Sequence, residues 1–167
     1  MATREDFRQL LAEETPALFR RALLLCHDWH FAEDLVQETA EKMLRQWKKV
    51  SAAETPGAYC QQILTNIFLS FARKRGYQET PVNVFVPEEV DPWESIDTEL
   101  SVAKALATLS PLERAVVIGR YIDDLPVAQI ASMLGKSEAW VRVSAHRSLQ
   151  KLNSLDSTAE KAGETNA

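Results

Sequence analysis

The chain has 167 residues, 46% of them hydrophobic, with only five glycines and a formal net charge of −5. That composition suffices for one ordinary domain or two small ones and excludes wholesale disorder, while abundant Ala, Leu, Glu, Gln and Arg favour helix over sheet. The longest apolar run, around Ala22–Cys26, is too short to cross a membrane, and the acidic, amphipathic MATREDFRQLLAEE is unlike a secretory signal.

In chain order, residues 4–28 form a predicted helix with Phe7, Leu10, Leu11, Leu18, Ala22 and Leu25 at mixed three- and four-residue spacing. Pro16 is expected to interrupt or restart it, with Thr15 available as a cap. A second helix is expected from Phe31 to Val50, burying Leu35, Val36, Thr39, Met43, Leu44 and Trp47. Thr55-Pro56 is a helix start signal. The helix it opens runs through Tyr59, Ile63, Ile67 and Phe71 to Arg73-Lys74-Arg75, cations that suit a helix C-terminus.

GYQETPVNVFVPEEVDPWESID follows, with three prolines and no sustained period, and reads as a linker. Val82–Val86 within it has the composition of a short strand without an evident partner. Helical patterning resumes near Thr98 with Leu100, Ala103, Leu106 and Leu109, and Ser110-Pro111 starts another helix. Asp124-Leu125-Pro126 introduces a short helix with Val127, Ile130, Ala131 and Leu134, closed by Gly135. Beyond Asn153 the chain is small and polar and is expected to fray or be disordered.

No Gly-rich phosphate loop, nucleophile elbow or paired zinc motif is present, so an enzyme is not expected, nor a cofactor. His27 and His30 beside Cys26 lack a second ligand cluster, which makes a metal site a poor reading. Cys26 and Cys60 read as small core residues with free thiols in a reducing compartment, and a cytoplasmic location is expected.

The pair PVAQIASMLG and EAWVRVSAHRSLQKL, separated by Lys136-Ser137, carries a mechanism. A short helix, a turn containing Gly and a capped helix with a basic outer face make the helix-turn-helix pattern. At about 100° per residue, Val141, Ala145, Leu149 and Leu152 fall on one side of the second helix. Arg142, Val143, His146, Arg147 and Gln150 fall on the other, with Trp140 at its edge. Arg can bond bidentately to guanine, while Val offers only an apolar contact to a thymine methyl or a sugar. A generic helical hairpin with a charged surface has the same pattern.

The net negative charge does not exclude DNA, because it is concentrated. Residues 79–100 hold seven acids and no Lys or Arg, and the remainder of the chain carries 19 basic against 17 acidic residues. In the N-terminal half, Tyr59, Gln61, Gln62 and Asn66 with Arg73, Lys74 and Arg75 combine an aromatic for stacking, amides for base edges and cations for phosphate. The same residues also suit a core aromatic beside solvated polar groups.

DLVQET (34–39), TPGAYCQQILTN (55–66) and LATLSPLERAVVIGRYIDDLPVAQIASMLGKSEAWVRVSAHRSLQKL (106–152), in that order and spacing, resemble the extracytoplasmic-function (ECF) sigma factors of bacterial RNA polymerase. The resemblance spans about residues 5–153. It implies an all-α protein of two small helical domains joined by an acidic flexible linker. Residues 1–78 correspond to sigma region two, 79–97 to the linker and 98–155 to the helix-turn-helix region four, leaving a polar tail at 156–167.

By the same resemblance, Asp34, Leu35, Gln37 and Glu38 would contact the clamp helices of core RNA polymerase, with the flap a further contact. Tyr59, Gln62, Asn66, Arg73, Lys74 and Arg75, with the loop around Val50–Gly57, would take the minus-ten element and hold a flipped base. Ser137, Arg142, Val143, His146 and Arg147 would read the minus-thirty-five element. The linker would run through the RNA exit path, and an anti-sigma factor is the family's usual control.

Tyr59 and Gln62 stand where members often carry Trp and Arg, and Thr39-Ala40 replaces a commoner bulky pair, so promoter preference does not transfer. The alternatives are a stand-alone helix-turn-helix regulator using residues 98–153, and an interaction protein that binds no DNA.

Overall fold

A computed structural model describes the backbone of residues 3–74 and 96–165 and the side chains of residues 3–74 and 102–154. Residues 79–95 of the expected acidic linker at 79–97, the strand reading at Val82–Val86 and Arg75 lie outside the described residues, while Ile96 and Asp97 already belong to a helix. Among the described residues there are eight α-helices, one π-helical turn and no strand. The chain divides into two compact units, Met1–Ala103 and Lys104–Ala167.

In the first unit, α1 (Arg4–Cys26) opens on a capping box in which Thr3 and Asp6 exchange side-chain and backbone hydrogen bonds. Pro16 does not interrupt it: α1 runs through the proline as one helix of 23 residues. Pro16 is exposed, so a carbonyl left without an N–H partner can turn to water, and Leu18, Ala22 and Leu25 are fully buried beyond it. Thr15 is no cap either; its hydroxyl donates to the Leu11 carbonyl at 2.5 Å. The helix ends where His27 takes a left-handed conformation (φ 56°), its N–H returning to Leu23.

Asp28 caps α2 (Trp29–Arg45), accepting the Phe31 N–H at 2.9 Å. The predicted second helix is in fact two, because the chain breaks at Gln46 (φ −108°, ψ 24°) before α3 (Trp47–Ala52). No Gly or Pro marks that break. Instead, the redirected α3 sets Trp47 edge-on against Phe7 of α1, centroids 5.5 Å apart, and buries Val50 completely. The pairing and the buried valine favour the bend over a continued helix. Only Ala53–Thr55 separates α3 from α4 (Pro56–Lys74), so the expected loop at Val50–Gly57 is mostly helix. Helices α1, α2 and α4 pack together around Leu18, Leu35, Met43, Leu64 and Phe68, each at most 1% exposed. Full burial of each such side chain is worth about 1.5–3 kcal/mol.

Helix α5 (Ile96–Ala107) holds the division between the units, which falls after Ala103. In the second unit, Ser110 caps α6 (Pro111–Val117), and a π-helical turn, Ile118–Ile122, continues from it. Then α7 (Val127–Leu134) and α8 (Glu138–Thr165) complete the unit. Gly119 in the π-turn lies against Ile130 of α7: a Cβ there would stand 3.3 Å from Ile130 Cδ1. Val116, Ile130, Ala131, Val141 and Ala145 form the core, with Leu125, Val127, Leu134 and Trp140 packed around it. Helix α8 continues to Thr165, past the end drawn at Asn153 from the sequence. Residues 154–165 contain no proline and several strong helix formers, which is compatible with continuation.

Candidate nucleic-acid and polymerase interfaces

The turn between α7 and α8 is built from backbone bonds. Gly135 has φ 66°, a left-handed conformation that glycine adopts without steric cost. Around it the Lys136 N–H donates to Ala131 (3.0 Å) and the Gly135 N–H to Ser132 (3.4 Å), the paired bonds of a Schellman motif. Two residues later the Ser137 hydroxyl accepts the Trp140 N–H at 3.1 Å and starts α8. The same short stretch therefore stops one helix and starts the next.

Val141 is fully buried and Ala145 5% exposed, which turns the opposite side of α8 to solvent. Arg142, Val143, His146 and Arg147 are all exposed there, Val143 at 48%. Arg142 lies 3.7 Å from Glu138 with both side chains more than half exposed, a pair worth at most about 1 kcal/mol and easily exchanged for another acceptor. Trp140 belongs to the scaffold: it is half-buried on the core, with Lys136 Nζ 5.3 Å from its ring centroid. Ser148, fully buried, has no counterpart among the residues singled out from the sequence.

In the first unit, Asp34, Gln37 and Glu38 are exposed on α2 and form one polar face. Leu35 is not part of it. At 1% exposure it faces the core, and its carbonyl accepts the buried Thr39 hydroxyl at 2.7 Å, so its role is to hold α2 in place. On α4, Asn66, Arg73 and Lys74 are exposed, while Tyr59 and Gln62 are half-buried.

A groove of about 490 Å³ lies between α2 and α4. Glu38, Glu41, Lys42 and Arg45 line it from α2, and Asn66, Ser70 and Lys74 from α4. It brings Glu38 together with Asn66 and Lys74, and leaves Tyr59 and Gln62 outside its lining. Lys42, Arg45 and Ser70 were missed in the sequence. The four-residue spacing of Asn66, Ser70 and Lys74 was the available signal, since it places all three along one side of a helix.

His27 is buried in the α1–α2 turn, whereas His30 is exposed and 4.0 Å from Glu33. Among the described residues, no three His, Cys, Asp or Glu side chains gather where they could hold a metal ion. Nor is any helix among them long and apolar enough to cross a membrane.

Comparison with known proteins agrees with both halves of this arrangement. The family described as Sigma-70 region 2 matches residues 10–77, and Sigma-70, region 4 matches residues 99–152. The ECF RNA polymerase sigma factor SigL of Mycobacterium tuberculosis is 33% identical over 155 residues, covering 87% of this chain and 85% of its own. RNA polymerase sigma-E factor of Streptomyces coelicolor is 26% identical over 149 residues, covering 88% and 84%. Among solved structures, the sigma factor RpoE of Bartonella quintana, crystallised with the anti-sigma factor NepR, matches with a TM-score of 0.67 and 26% identity over 90% of this chain and 96% of its own. The paired polar and basic faces, the helix-turn-helix and these likenesses across both regions together place the chain in the ECF sigma factors of the sigma-70 family.

Proposed function

We propose that this sigma factor docks on core RNA polymerase through the exposed face of α2, with Asp34, Gln37 and Glu38 as its polar contacts, and directs promoter-specific initiation. Residues 1–78 and 98–155 act as regions two and four, and 79–97 as the acidic link between them. The observation that carries the reading is the outward set Arg142, Val143, His146 and Arg147 on a helix whose opposite side is buried. Such a helix enters the major groove, where Arg pairs with guanine and Val143 meets a thymine methyl.

Tyr59, Gln62 and Asn66 take the opened minus-ten strand, and Arg73, Lys74 and Arg75 neutralise its phosphates. Flipping a base costs a few kcal/mol of unstacking, which stacking on Tyr59 and hydrogen bonds from the amides offset. In this reading Ser137 serves α8 as its cap and presents the first turn to the DNA backbone. The protein works in the cytoplasm and supplies no catalytic step of its own. An anti-sigma factor of the kind seen with RpoE is the controlling partner.

Fluorescence anisotropy on promoter DNA, with and without core polymerase, tests this. Sequence-specific binding that needs core polymerase supports it. Tight specific binding by the free protein would favour a stand-alone regulator.

A further inference from the structure

Apolar contacts between α6, α7 and α8 hold the second unit together, but they are non-directional. With Val141 and Ala145 buried, they set which side of α8 faces inward. Hydrogen bonds are directional, and one cluster of them joins α6 to α8. Glu113, on α6, accepts from Lys151 Nζ at 2.8 Å and from the Ser148 hydroxyl at 3.2 Å, both at the same Oε2 oxygen. Its own backbone N–H donates to the Ser110 cap at 3.3 Å, so the carboxylate stands on an anchored first turn.

Ser148 is fully buried, and Lys151 lies one turn further along the same side of α8. Burial pushes the Glu113 carboxyl up, but hydrogen bonds from Lys151, Ser110 and Ser148 and the nearby Lys151 charge outweigh it, and the group sits below its ordinary value. It is therefore ionised at neutral pH and accepts from both donors as a charged group, which makes these bonds stronger than neutral ones.

Arg147 precedes Ser148 directly, about 100° and 1.5 Å away on a rigid helix. Whatever fixes Ser148 against α6 also fixes the angle at which Arg147, His146, Val143 and Arg142 leave the surface. Base readout by bidentate hydrogen bonds tolerates only about 10–20° of misorientation. We propose that Glu113 is a positioning residue for promoter recognition: through Ser148 and Lys151 it refines the rotation of α8, and so the base preference of the exposed surface that ends at Arg147, next to Ser148. This rests on the reading of α8 as the minus-thirty-five helix.

The test is run-off transcription by reconstituted holoenzyme from promoters randomised in the minus-thirty-five element and fixed elsewhere, with thermal midpoints measured on the same proteins. Wild type should favour a definite set of sequences. Glu113→Ala and Ser148→Ala should reduce the ratio between favoured and disfavoured sequences by about fivefold or more, with minus-ten preference unchanged. Glu113→Gln keeps an acceptor for Ser148 and should restore most of the ratio. If Glu113→Ala, or Ser148→Ala should the former fail to fold, lowers transcription equally on all sequences, the unchanged ratio makes the cluster a source of stability only and overturns the proposal. A wild-type holoenzyme with no minus-thirty-five preference would instead overturn the reading of α8, and this inference with it.

Discussion

The Lys136 N–H donates to the Ala131 carbonyl across 3.0 Å, closing the turn between α7 and α8 over Gly135. That bond requires the left-handed conformation of Gly135, whose φ is 66°. Gly135→Ala should therefore destabilise the second unit by about 1–2 kcal/mol, although nothing stands within 4 Å of the added methyl. Asn tolerates this conformation better, so Gly135→Asn should lose less. Urea titration of the three proteins checks the order.

Asp34 and Leu35 are neighbours with opposite duties. Leu35→Ala empties a fully packed site and should cost about 2–5 kcal/mol of stability. Asp34→Ala and Gln37→Ala alter exposed positions and should change stability by no more than about 0.5 kcal/mol. If α2 is the polymerase-docking face, both exposed variants should bind core polymerase more weakly while unfolding at the wild-type denaturant concentration. Competition binding alongside urea titration separates the two classes.

On α8, Arg147→Ala should cost about 1–3 kcal/mol of discrimination at one minus-thirty-five position. Val143→Ser removes the methyls proposed to meet thymine and should shift preference at its position with little loss of stability, because Val143 is 48% exposed. Transcription from promoters with single substitutions at each minus-thirty-five position reads both effects.

Burial, with a smaller contribution from nearby Glu14, pushes the Cys60 thiol up to about 11 from its ordinary 9.0. The unfolded thiol ionises first as pH rises, so the folded state gains from Cys60 fully below 9.0 and loses that gain as pH climbs toward 11. The native protein should resist iodoacetamide at neutral pH and react once unfolded in urea. Cys60→Ala should flatten the fall in stability above pH 9.0. Labelling followed by mass spectrometry, with thermal melts across alkaline pH, measures both.

The helix-turn-helix was legible because its signals are local: Gly135 stops one helix, Ser137 caps the next, and Val141 and Ala145 repeat at helical spacing. Pro16 misled because propensity was read without the burial of Leu18 and Ala22 that carries α1 through it. The break at Gln46 has no local marker; it follows from the packing of Trp47 on Phe7, residues far apart in the chain. Leu35 belongs to a motif whose neighbours face outward, and only the packed bundle separates the anchor from the contacts. The α2–α4 groove and the Glu113–Ser148 bond, which joins positions 35 apart, exist only once the helices have packed.

If the two helical units act together as a promoter-specificity subunit of RNA polymerase, the protein must confer initiation on core polymerase. Run-off transcription with core polymerase on a random promoter library tests it most directly. A promoter-specificity subunit should yield transcripts from a restricted set of promoters, only when protein and core are combined, and with the minus-thirty-five preference altered by Arg147→Ala. Initiation from no promoter by the reconstituted enzyme would contradict it.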